Sequence, residues 1–150
     1  IANVARVRAG CDRVGMPLMV EPIAMRPAGP GKGLVVDGDA AKVIPLVRQA
    51  VELGADVIKA DPTDRIEDWP RVIEVAAGCP VLVRGGGKAP EAEVLARSVE
   101  LIKLGAGGLV YGRNVIQHPR PAAMVRALMA IVHDDASPER ALELARGSGT

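Results

Sequence analysis

A chain of 150 residues has room for one domain with a sizeable core, and 25% charged against 49% apolar residues is an ordinary globular balance. A formal net charge of +1 offers no field to draw nucleic acid or an anionic membrane, and Trp69 and Tyr111, the only aromatic residues, cannot make the stacking surface of a single-strand binder. Cys11 and Cys79 have neither metal-ligand spacing nor a redox motif and read as reduced thiols of a cytoplasmic protein. No apolar run is long enough to span a bilayer, and no signal peptide is visible.

The chain opens at Ile1 directly in a helical pattern, which points to truncation at the N-terminus. Ala2, Val4, Ala5, Val7 and Cys11 recur at helical spacing over residues 1–14, and Gly15 stops that helix. The run Leu18-Met19-Val20-Glu21-Pro22-Ile23 reads as a first strand over residues 17–22. Residues 40–53 place Val43, Leu46, Val47, Ala50 and Val51 on one helical face before Gly54, with Pro45 read as marking the first turn. Asp56-Val57-Ile58-Lys59-Ala60 is the second strand, and residues 70–77 form a helix entered at Pro70 and stopped at Gly78. Val81-Leu82-Val83-Arg84 is the third strand. The next helix, 90–104, starts at Pro90, carries Val94, Leu95, Val99 and Ile102, and stops at Gly105. The fourth strand, 108–112, runs through Gly108-Leu109-Val110-Tyr111. Residues 121–133 carry Met124, Val125, Leu128, Met129 and Val132, and Ser137-Pro138-Glu139 opens a last helix that runs to about Arg146.

Strands alternating with helices predict a parallel sheet with right-handed crossovers, an α/β fold. No glycine-rich fingerprint opens the first helix, which argues against a dinucleotide-binding unit. The alternative is a (β/α)8 TIM barrel, whose usual length is roughly 250 residues, and four strands are half of one. The strands are expected in sequential order as an open arc with two unpaired edges, exposing interior residues such as Met19 and Val57. Such a chain is expected to be poorly stable unless the missing half or a second copy completes it. The full-length form is expected to be a homo-oligomer.

Function in such a fold sits at the C-terminal ends of the strands. Lys59 follows Asp56-Val57-Ile58 inside a buried strand, where an unpaired cation is costly. It either forms an ion pair with Glu21 or Asp61, or it is a nucleophile that makes a Schiff base with a carbonyl. Glu21, on the preceding strand, is its structural partner or a proton carrier for imine formation and C–C cleavage. Gly85-Gly86-Gly87 and Gly112-Arg113-Asn114 end the third and fourth strands. Glycines let backbone N–H groups approach an oxyanion and Arg113 adds a fork of donors, so Gly85, Gly86, Gly87, Gly112 and Arg113 are candidate phosphate-binding residues. His118 reads as a loop or helix-entry residue and His133 as a helix end, neither with metal-ligand spacing. Asp61 and Arg84 are candidates for the mouth or for a solvated rim.

These residues resemble the class I aldolase superfamily that includes archaeal-type fructose-bisphosphate, tagatose-bisphosphate and deoxyribose-phosphate aldolases. The likeness runs along nearly the whole chain and is densest at Gly15-Met16-Pro17-Leu18, Gly54-Ala55-Asp56-Val57-Ile58-Lys59, Gly78-Cys79-Pro80-Val81 and Gly112-Arg113-Asn114-Val115-Ile116-Gln117-His118. The resemblance implies that the four strands are barrel strands five to eight, the C-terminal half. It implies that Lys59 is the Schiff-base lysine of strand six, and that Gly86, Gly87, Gly112 and Arg113 lie in the phosphate loops. It further implies a lyase acting on a small sugar phosphate without metal or cofactor. Where archaeal fructose-bisphosphate enzymes carry a tyrosine near the end of strand five, this chain has Ile23, and Glu21-Pro22 resembles the tagatose-bisphosphate branch instead. The second lysine of the deoxyribose-phosphate branch is replaced by Arg84 in Val83-Arg84-Gly85. A relative that acts as a thiolase on a phosphorylated dione also lacks the tyrosine, so an acyltransferase on the same lysine is the alternative enzyme reading. A non-catalytic sugar-phosphate sensor is the third reading, and it has no need of Lys59.

Overall fold

Aliphatic runs bounded by glycine or proline become strands, and the amphipathic stretches between them become helices, in the computed structural model, which describes residues 1–147. In chain order these are α1 (Ala2–Val14), β1 (Met19–Val20), β2 (Met25–Pro27), β3 (Leu34–Val36), α2 (Ala40–Glu52), β4 (Val57–Ala60), a 3-10 turn (Ile66–Asp68) and α3 (Trp69–Val75), followed by β5 (Val81–Arg84), α4 (Glu91–Lys103), β6 (Gly108–Val110), α5 (Arg113–Ile116), α6 (Pro121–His133) and α7 (Pro138–Arg146). The main sheet has the order β1-β4-β5-β6, the sequential parallel order of half a (β/α)8 barrel. The chain forms two compact units, Ile1–Leu82 and the remainder from Val83, and β5 contributes to both.

In the first unit β1 pairs with β4 in parallel, Met19 opposite Val57 and Val20 opposite Ile58. Ile58 N–H donates to Pro80 O at 2.9 Å, joining β4 to the entry of β5. Ile58 and Ala60 are buried on one face of β4 while Val57 and Lys59 are half-buried on the other, the two-residue period of a strand. Helix α2 packs on α3 and β4, with Val47, Trp69 and Val72 fully buried.

Pro45 does not mark the first turn of α2 but lies inside it. Asp39 caps the helix instead: its Oδ1 accepts from Ala41 N–H at 2.9 Å and its carbonyl accepts from Lys42 and Val43, so capping chemistry sets the start. Helix α1 forms as expected, with Gly15 left-handed at its end, but buries none of its residues; Val7 is 51% exposed. Arg8 ties it down by donating to Gly54 O and to Asp56, and Asp56 also accepts from Leu18 N–H at 2.7 Å. The Leu18 N–H, and then Arg8, hold the Asp56 carboxyl below the usual carboxylate range.

The first strand is shorter than residues 17–22, and α2 follows it only after a further element. An antiparallel hairpin, β2 with β3, follows it, pairing Met25 with Val36 and Pro27 with Leu34. Met19 is 46% exposed and Leu34 64%.

In the second unit Gly85 N–H donates to Val110 O at 3.2 Å, joining the end of β5 to β6. Helices α4, α6 and α7 pack together around Leu95, Val99, Met124, Ala127, Ile131 and Ala141. Ser137 Oγ accepts from Arg140 N–H at the start of α7, and Gly147 ends it in the left-handed conformation. Among the described residues no helix is long and apolar enough to cross a membrane.

Candidate active site

Parallel pairing of Val20 with Ile58 sets the next residues of the two chains, Glu21 and Lys59, beside each other. Lys59 Nζ donates to Glu21 Oε2 at 3.0 Å, with the lysine side chain 21% and the glutamate side chain 32% exposed. An amine that substrate can reach, held at proton-transfer distance from a carboxylate, is equipped to add to a carbonyl and to pass the protons that the addition requires. Asp61, the other partner expected for Lys59, is 7% exposed and so is no solvated rim group.

The two glycine loops meet in the second unit. Gly86 has φ of 58°, a conformation that favours glycine. At Gly85 a Cβ would lie 2.7 Å from Tyr111 Cδ1, so the ring at the end of β6 requires a bare backbone there. The Tyr111 hydroxyl is 2.9 Å from Ser98 Oγ, which itself donates to Val94 O, and burial pushes the phenol above its ordinary range. Gly112 caps the four-residue helix α5. Arg113 Nη2 donates to Gly86 O at 2.9 Å, so part of the fork expected to face an anion holds the neighbouring loop. The N–H groups of Gly86 and Gly87 make no hydrogen bond among the described residues, and both glycines are exposed.

Asn114 is the residue that sequence reasoning passed over, although it stands in the quoted run Gly112-Arg113-Asn114. It is 7% exposed, donates through Nδ2 to Gly85 O at 3.0 Å and Gly87 O at 3.1 Å, and accepts through Oδ1 from Ala89 N–H at 3.0 Å. His118 is more than a loop residue. Its Nδ1 accepts from Arg120 N–H at 3.1 Å, which leaves Nε2 to donate to Glu91 Oε2 at 2.7 Å, and Glu91 Oε1 accepts from Arg146 Nε at 3.2 Å. Glu91 thus pins α7 and the loop before α6 to the start of α4.

The profile described as DeoC/LacD family aldolase matches residues 1–118. The chain is 42% identical over 142 residues to the 2-amino-3,7-dideoxy-D-threo-hept-6-ulosonate synthase of Halobacterium salinarum, an alignment covering 95% of this chain and 51% of that protein. It is 36% identical over 146 residues to the 3-hydroxy-5-phosphonooxypentane-2,4-dione thiolase of Salmonella typhimurium, covering 96% of this chain and 46% of that one. An archaeal fructose-1,6-bisphosphate aldolase, solved with its catalytic Lys covalently bound to the carbinolamine intermediate of the substrate, matches with a TM-score of 0.74 at 32% identity over 86% of this chain and 50% of its own. The chain therefore spans about half the length of the relatives it matches.

Proposed function

Because this chain belongs to the DeoC/LacD family of aldolases, we propose that it is the C-terminal half of a class I aldolase that cleaves or forms a C–C bond in a phosphorylated ketose. On this reading residues 1–150 are one partial barrel domain, and activity is measured on the complete protein that carries it. The observation that supports the reading is the 3.0 Å contact of Lys59 Nζ with Glu21 Oε2 at the ends of adjacent parallel strands. It agrees with the covalent lysine adduct of the archaeal relative.

Glu21 takes a proton from Lys59 and so frees the amine to attack. The amine nitrogen adds to the substrate carbonyl, one proton passes from that nitrogen to the new alkoxide to give the carbinolamine, and Glu21 returns a second proton to the carbinolamine hydroxyl, which leaves as water and gives the iminium. The iminium nitrogen takes up the electron pair when the C–C bond breaks, as a base removes the proton of the hydroxyl on the departing carbon; an aldehyde leaves and an enamine remains. Protonation of the enamine carbon and addition of water then release the second product and restore the amine. No step calls for a metal or a cofactor. The N–H groups of Gly86 and Gly87, with Gly112 and the outer arm of Arg113, bind the substrate phosphate in a loop shaped by Gly85 and Tyr111. The substrate is a small sugar phosphate, the protein acts in the cytoplasm as a homo-oligomer, and neither nucleic acid nor membrane takes part.

Borohydride with a ketose phosphate tests this reading. It should add the mass of the reduced adduct to the peptide containing Lys59, activity should survive a strong chelator, and Lys59→Arg should abolish the label because a guanidinium cannot serve as the amine. Label on Lys88 or Lys32 instead would overturn the assignment.

The likeness to a phosphorylated-dione thiolase supports a second reading, acyl transfer to a thiol with the same lysine and carboxylate. Turnover of a phosphorylated dione that depends on added thiol separates it from the aldol reaction. Phosphate binding with no trapped lysine would leave a sensor.

A further inference from the structure

A trans peptide unit carries its C=O and the following N–H on opposite sides, so a donor that fixes a carbonyl also aims the next N–H away from itself. Between β5 and α4, three successive carbonyls are fixed in this way. Gly85 O and Gly87 O accept from Asn114 Nδ2 at 3.0 and 3.1 Å, and Gly86 O accepts from Arg113 Nη2 at 2.9 Å. The N–H groups of Gly86, Gly87 and Lys88 are thereby turned from their donors, and those of Gly86 and Gly87 lack any partner among the described residues. From these contacts we infer that Asn114 is a positioning residue for the anion subsite: it holds the loop Gly85–Ala89 in the one conformation that presents its N–H groups to the substrate phosphate. The inference rests on the proposed reading of that loop as the phosphate site.

Only a carboxamide fits the position. It supplies two donors and an acceptor in one planar group, and here all three functions are engaged: Gly85 O at the loop's entry, Gly87 O in its middle and Ala89 N–H at its exit. Aspartate would accept but not donate, and an aliphatic side chain would do neither. Asn114 is 7% exposed, so water cannot readily replace the lost bonds. Its anchor is firm, because α5 is closed by Val115 and Ile116 N–H donating to Gly112 O, both at 2.9 Å. Arg113 reaches the same loop from an exposed position and cannot grip its two ends.

The test uses the complete protein and inorganic phosphate as the probe. In Asn114→Asp and Asn114→Ala, KM for a phosphorylated ketose and the inhibition constant of inorganic phosphate should rise together by about tenfold. The values of kcat and KM for an unphosphorylated analogue should stay within about twofold of the parent protein. Equal losses with both substrates, or unchanged phosphate inhibition in both variants, would overturn the role of Asn114 while leaving the phosphate reading intact. A parent protein that neither prefers phosphorylated substrates nor is inhibited by phosphate would overturn the subsite itself, and the inference with it. Should either variant fail to fold, amide exchange in the parent protein decides. The Ala89 amide should be protected before phosphate is added, and the Gly86 and Gly87 amides only afterwards; fast exchange at Ala89 in the absence of phosphate would overturn the clamp.

Discussion

Replacing Glu21 by glutamine keeps the length of the side chain and its carbonyl oxygen but removes the ability to take up a proton. Lys59 Nζ lies 3.0 Å from Glu21 Oε2, inside the span over which a side chain acts as general acid and base. A positioned group of this kind contributes about 10²- to 10⁴-fold, equivalent to roughly 3 to 5 kcal/mol of barrier. The Glu21 side chain is 32% exposed, so solvent shares the proton traffic and the lower end applies, a loss of about a hundredfold in kcat. Single-turnover cleavage of a ketose phosphate, quenched with borohydride and followed by peptide mass spectrometry, reads the imine and the product separately. The variant should still accumulate label on the Lys59 peptide, more slowly, and product formation should lag behind it. A rate within about threefold of the parent protein would show that the carboxylate is only a salt-bridge partner, and the mechanism above would have to find its proton carrier elsewhere.

Gly85→Ala places a Cβ 2.7 Å from Tyr111 Cδ1 and 3.0 Å from the Tyr111 Cα, which cannot swing aside, and should cost about 1–3 kcal/mol in a denaturant titration. Asp56 has a folded-state carboxyl lowered by the Leu18 N–H and Arg8. Its contribution to stability is therefore full above the unfolded value of about 3.9 and is lost as pH falls through the lower folded value. Asp56→Asn should lower the melting temperature at neutral pH and flatten the acid limb of the stability profile; an acid limb as steep as before would refute the clamp. Burial pushes the Cys79 thiol up, so iodoacetamide at neutral pH should modify it more slowly in the native protein than in urea, as followed by intact mass. Finally, sedimentation of the 150-residue chain alone should reveal self-association, because Met19, Leu34 and Val35 stand exposed; a clean monomer would contradict this.

The strands β4, β5 and β6 could be read from the sequence because each is a short aliphatic run closed by glycine or proline, a pattern that leaves few alternatives. The pairing of Glu21 with Lys59 was legible for the same reason, since adjacent parallel strands set residues of equal register side by side. The hairpin of β2 and β3 was hidden by Ala28-Gly29-Pro30-Gly31-Lys32-Gly33, whose turn signals outnumber the three-residue strands they connect. Pro45 misled because a proline is usually read as a helix start, whereas the Asp39 cap six residues before it decides the matter here. Asn114 escaped notice because a carboxamide that serves backbone carbonyls leaves no spacing pattern; its partners lie 25 to 29 residues away and become neighbours only in the folded chain.

Trp69 and Tyr111 give the chain an unplanned pair of optical reporters. It has a single tryptophan and a single tyrosine and no phenylalanine, and the two fall on opposite sides of the division at Leu82. Trp69 has no exposed surface, so its emission should shift to the red when the first unit opens. Tyr111 touches Ser98 through its hydroxyl, so its ultraviolet absorbance should change when the second unit opens. One sample, without labels or engineered probes, thus carries a separate signal for each half. Coincident or separated transitions in a single melt would tell whether the two halves come apart as one cooperative body or in succession.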